Sequence, residues 1–126
     1  MTEITIQDGT LIARMTGIDI VLAARRKVVT PLAHIVSIEE TPDLRQQAKR
    51  GWKLIGGYFP GWFRNGTFRE DEHTAFWNVS GIATARAVTI TLRDDRFSRL
   101  VLAVHDPKGT VASIRAALPT GTTSVA

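Results

Sequence analysis

The chain contains no cysteine, which removes disulfides, thiolate metal sites and cysteine nucleophiles together. It also lacks any apolar run near the roughly 18 residues that cross a bilayer as a helix. Its longest clean run, Leu100-Val101-Leu102-Ala103-Val104, has the length of a strand. Histidine is scarce: His34, His73 and His105 share no short ligand spacing, and no H-E-x-x-H pattern occurs, so metal and cofactor chemistry is not expected. The opening Met1-Thr2-Glu3-Ile4-Thr5-Ile6-Gln7-Asp8 has neither the basic nor the apolar region of a secretory leader, and a cytoplasmic location is the expectation. In that setting Asn65-Gly66-Thr67 and Asn78-Val79-Ser80 read as chance matches to the glycosylation pattern.

What is present is an ordinary globular composition, 44% hydrophobic and 22% charged over 126 residues, enough for one core. A single domain is expected over residues 2–118. The remainder, 119–126, has the composition of a disordered tail. A net charge of +4 and a pI near 10.1 would suit an acidic partner, although a modest basic excess more often serves solubility alone.

Period-two alternation dominates the chain. Ile4 and Ile6, the turn Asp8-Gly9, then Leu11, Ala13 and Met15 predict an opening hairpin. Residues 17–24 fit a short helix or a strand equally. Val28 to Leu32 and Ile35 to Glu40 read as strands joined through Pro31, and the first of these offers an edge for a partner strand. Arg64 to Glu70 and Thr74 to Val79 predict a second hairpin, and Ala87 to Leu92 with Phe97 to Val104 a third. At the end, Asp106 can cap a helix that begins at Pro107, with Val111, Ile114 and Leu118 on one buried stripe. Such a helix is best buried across an open sheet or over the mouth of a barrel.

Between these elements, Leu44 to Phe63 breaks the pattern. Gly56-Gly57 and Pro60-Gly61 interrupt any long element, so a helical turn over Asp43 to Lys49 followed by a long loop is expected. Basic and aromatic residues interleave there: Arg45, Lys49, Arg50, Trp52, Lys53, Tyr58, Phe59, Trp62 and Arg64 form the candidate binding set. Trp, Tyr and Arg anchor interfaces because they bury much area at modest entropic cost. The same residues would suit an anionic lipid surface or, third, nucleic acid. Equally, Trp52, Phe59 and Trp62 can fold inward to complete the core.

About seven strands followed by one helix is the order of the pleckstrin-homology superfold. The run Val28-Val29-Thr30-Pro31-Leu32-Ala33-His34-Ile35-Val36, the Gly66-Thr67-Phe68 and Phe76-Trp77 pairings, and the apolar strand entering Asp106-Pro107 resemble the bacterial PH-like domains, among them small stand-alone actinobacterial members. The resemblance implies a mainly β, partly open barrel of antiparallel strands with one C-terminal capping helix. The basic motif across the first hairpin of phosphoinositide-binding members has no counterpart at Asp8-Gly9-Thr10.

No activated catalytic group is expected. Asp94-Asp95 and Glu39-Glu40 are neighbours in sequence, which sends adjacent strand side chains to opposite faces, and the aspartates suit a turn. Ser37 and Ser80 lack a nucleophile elbow, and Gly56, Gly57 and Gly61 do not form a phosphate-binding loop. The expectation is a non-enzymatic module that binds a protein or peptide through the 45–64 loop and the adjacent barrel mouth, with anionic-lipid binding as the alternative.

Overall fold

The computed structural model describes residues 2–16, 27–41, 44–49, 51–59, 62–82 and 85–118. Asp8 and Gly9 both adopt left-handed backbone, with φ of 52° and 72°, so the chain reverses in two residues between β1 (Thr2–Gln7) and β2 (Thr10–Met15). β3 (Lys27–Pro31) pairs with β2, giving a small antiparallel sheet in the order β1-β2-β3. A 3₁₀ turn over Leu32–His34 carries the chain into β4 (Ile35–Glu40).

The next elements are α1 (Leu44–Gln47), β5 (Trp52–Phe59), β6 (Phe63–Glu70), β7 (His73–Ser80), β8 (Ala87–Leu92) and β9 (Arg99–Ala103), and the last is α2 (Pro107–Ala117). The larger sheet runs β4-β8-β9-β7-β6-β5. β9 enters between β8 and β7, antiparallel to the first and parallel to the second. A mainly β chain with a capped C-terminal helix is what the sequence suggests. The strands among the described residues, however, number nine in two sheets that do not close into a barrel. The residues 17–24, the tail 119–126 and Arg50 lie outside the described set.

The extra strand comes from the segment expected to be a long loop: Trp52 to Phe59 is an eight-residue strand paired with β6. Gly56-Gly57 does not end it. Gly56 and its cross-strand partner Gly66 have φ of 121° and 127°, a conformation open to glycine, and so let the two backbones approach closely.

Strand alternation divides the core in two. Phe76, Val88, Ile90, Leu100 and Leu102 face the small sheet and α2, where Leu11, Val28, Val111 and Ile114 complete the main core. Phe68, Ala75, Trp77, Val79 and Val101 face the other way, under Ala48, Ile82 and the half-buried Leu44. Asp106 caps α2 by accepting from the Gly109 N–H at 3.0 Å, as its spacing suggests. α2 lies against β4, and Arg115 Nη2 donates to the Ile38 carbonyl at 2.9 Å.

A carboxylate ties the two sheets together. Asp95, in the β8–β9 turn, accepts from the Thr30 hydroxyl, from His34 Nδ1 at 2.8 Å and from the Arg96 N–H at 2.7 Å. Burial pushes its pKa up, but these hydrogen bonds outweigh burial and hold it below the ordinary 3.8. A depressed carboxylate stabilises the fold above its unfolded-state pKa and loses that contribution as pH falls through the lower native value. Asp95→Ala is therefore expected to cost about 2 kcal/mol at pH 7. Urea melts from pH 7 to pH 2 should show the difference from wild type shrinking below about pH 4. A difference independent of pH would remove Asp95 from the acid response.

Candidate functional site

The site begins with the position of β5 at the end of the six-stranded sheet. One side of the strand pairs with β6; among the described residues no other strand pairs with the opposite side. Natural edges are usually short, charged or covered, because open N–H and C=O groups accept another strand. β5 carries one charge, Lys53, and four exposed large apolar residues: Trp52, Leu54, Ile55 and Phe59.

Register sorts these residues by face. Trp52, Ile55 and Phe59 stand opposite Arg69, Thr67 and Phe63, whereas Lys53 and Tyr58 stand opposite Phe68 and Arg64. Leu54 has no partner and forms a bulge between Lys53 and Ile55. Trp62, in the turn before β6, stacks on Phe59 with ring centroids 4.9 Å apart. Trp52 and Trp62 remain 63% and 66% exposed, which decides that these rings are not folded into the core. The result is an apolar ridge of Trp52, Ile55, Phe59 and Trp62 along one face of an open edge.

The opposite face is basic. α1 packs there through Leu44 and the adjoining Ala48, leaving Arg45 and Lys49 exposed on the same side as Lys53. Residues 44–69 contain six basic side chains and no Asp or Glu, although Arg64 is buried and Arg69 stands on the Trp52 face. Because the whole chain carries +4, the rest of it carries −2, so the positive surplus belongs entirely to this segment.

Two of the nine candidate residues are not surface contacts. Arg64 is fully buried, and this corrects its place among the binding residues. Its position opposite Val79 and Tyr58 sends it into the second core, where its guanidinium carbon lies 3.9 Å from the Phe68 ring centre, 4.6 Å from Trp77 and 5.3 Å from Tyr58. Arg64 Nη1 donates to the Ala48 carbonyl at 2.7 Å, and Nη2 to Glu70 Oε2 at 3.1 Å. Burial lowers the Arg64 pKa from its ordinary value, against the pull of Glu70. Its role is to fasten the residue after α1 to the sheet. Tyr58 is half-buried and meets Phe68 edge-on at 6.0 Å, so it too belongs mainly to the scaffold.

Arg45, Lys49, Trp52, Lys53, Phe59 and Trp62 are all exposed but divide between the two faces, while Leu54 and Ile55 are site residues the sequence reading missed. Their signal was the apolar run within 52–59, masked by the glycine pair.

Two concavities lie elsewhere. A cleft of about 340 Å³ is lined by Glu70, His73, Thr91, Ser98 and Arg99. In it Ser98 Oγ lies 3.4 Å from His73 Nδ1, a long, exposed approach. A groove of about 580 Å³ lies between β1 and α2, and no residue of β5 lines it. Among the described residues no cluster of three metal-ligating side chains occurs, and no helix is long and apolar enough to cross a membrane.

No family model, curated protein or solved structure matches the chain.

Proposed function

We propose that this protein is a non-enzymatic interaction module that docks another protein through the edge and apolar ridge of β5. The observation that carries this reading is the coincidence of an open strand edge with four large apolar side chains, Trp52, Ile55, Phe59 and Trp62, on one face. An edge supplies backbone hydrogen bonds to a partner, and the ridge supplies the aromatic anchors that dominate interface energetics. The predominantly antiparallel strands followed by a capped C-terminal helix support reading the fold as PH-like, with β9 parallel to β7 as a departure.

Attachment to an anionic membrane is the second reading, favoured by the pairing of exposed Trp52 and Trp62 with exposed Lys49 and Lys53. It ranks lower because a strand edge placed against hydrocarbon leaves its N–H and C=O groups without partners.

A photo-crosslinking residue at Ile55 should give a discrete protein adduct in the cells that express the chain. The same residue at Val29, exposed on β3, should not. Trp52→Ser with Trp62→Ser should remove the adduct while changing stability by about 0.5 kcal/mol or less, since both rings are exposed. An adduct from Val29 instead of Ile55 would transfer the reading to the other sheet. No adduct at either position overturns it.

A further inference from the structure

The two faces of β5 differ in kind, and a partner strand must meet both at once. We infer that the partner is an extended segment alternating apolar residues with Asp or Glu, added to β5 as a seventh strand of the larger sheet. This rests on the reading that β5 is the docking edge, and it specifies the chemistry of what docks.

Pairing on an edge places alternate side chains of the new strand on opposite faces of the sheet. On one face they meet Ile55, Phe59 and Trp62. On the other lie Gly56 and Tyr58, with Lys53 just past the Leu54 bulge and the exposed Arg45 of α1 and Lys49 after it on the same side of the sheet. Apolar residues satisfy the first face and carboxylates the second. The stretch from Ile55 to Phe59 pairs with β6 in unbroken register through Gly56, and is the part of the edge on which a further strand would register. The Leu54 bulge marks the end of that template.

Charge argues against the other occupants. A second copy of the chain joined edge to edge would bring two sets of Arg45, Lys49 and Lys53 to one interface, with no acidic residue between 44 and 69 to offset them. A lipid surface would match the lysines and the aromatic rings but not the backbone edge. An acidic alternating strand matches side chains on both faces and the backbone between them.

The probe is a synthetic peptide of about ten residues alternating glutamate with valine and phenylalanine, a length within the usual range of strands. Three companions isolate the terms: lysine in place of glutamate, N-methylation along one backbone edge, and phosphatidylglycerol vesicles. Fluorescence of the exposed Trp52 and Trp62 reports binding, and amide exchange reports protection along β5. The glutamate peptide should bind about tenfold more tightly than the lysine peptide, and weaken with salt. N-methylation should weaken it by a similar factor, because the hydrogen-bonded edge is lost. Lys49→Glu with Lys53→Glu should reverse the preference toward the lysine peptide.

Equal binding of the two peptides overturns the charge assignment, and equal binding of the N-methylated peptide overturns strand addition. Vesicle binding without peptide binding assigns the surface to membranes. Absence of peptide binding with a surviving Ile55 cross-link overturns the acidic-strand chemistry and leaves the docking edge standing; loss of both overturns the two together.

Discussion

Glu70→Ala is expected to destabilise the protein by about 3–5 kcal/mol, lowering the melting temperature by roughly 10–20 °C. Glu70 is buried on β6 and accepts four hydrogen bonds: Arg99 Nε at 2.7 Å, Arg99 Nη2 at 3.0 Å, Arg64 Nη2 at 3.1 Å and Trp77 Nε1 at 3.0 Å. One carboxylate thus serves two guanidinium groups. Removing it leaves two cations facing each other, the Arg64 one buried and the Arg99 one only partly exposed, and orphans the indole N–H as well. Stability totals for a domain are only about 5–15 kcal/mol, so the loss is a large share of the whole.

The charge count predicts an asymmetry within the cluster. Arg64→Leu removes the surplus cation and leaves Glu70 paired with Arg99 and Trp77, at the cost of the Ala48 carbonyl bond and the ring contacts. Its expected cost is smaller, about 1–2 kcal/mol. Urea denaturation of the two variants side by side is the measurement. If Arg64→Leu proves the more destabilising, the cations in this core are held by their rings and not by Glu70.

This cluster also marks where the sequence stopped being legible. Local chemistry was readable wherever a few neighbouring residues decide the outcome: Asp8-Gly9 reverses the chain, Asp106-Pro107 starts the last helix, and Val88, Ile90 and Leu92 share a buried face. The charge cluster has no local cause. Glu70 and Arg99 meet only because β9 inserts parallel to β7, placing Arg99 opposite Ala75 and within reach of Trp77's surroundings. Arg64 is buried because its face of the sheet already holds Phe68 and, across on β5, Tyr58, a packing decision that charge alone argues against. At the candidate site, Trp52, Phe59, Trp62, Lys49 and Lys53 were legible by residue type. Their common edge was not, since a glycine pair that reads as a break is instead the condition for the strand.

Gly66→Ala should therefore be among the most damaging small substitutions in the chain, although it adds a single methyl group. At Gly66, φ of 127° is a conformation L side chains rarely adopt, and a Cβ there would stand 2.1 Å from the Ile55 carbonyl oxygen and 2.7 Å from the Gly56 Cα. At Gly56 it would stand 2.2 Å from the Asn65 carbonyl oxygen. In both cases the obstacle is backbone, which cannot rotate aside, so the β5–β6 pairing must open. The two variants should nevertheless fail differently. Gly56 lies on the edge strand, and Gly56→Ala should release β5 while the rest of the sheet holds, seen as fast amide exchange confined to β5. Gly66 lies on β6 between β5 and β7, so Gly66→Ala should also lower global stability, by about 3 kcal/mol or more. Either change should abolish the Ile55 cross-link without altering one residue of the ridge, because the ridge exists only while β5 is paired. Protected β5 amides in Gly56→Ala would mean that the close approach of the two glycines does not hold the edge in place.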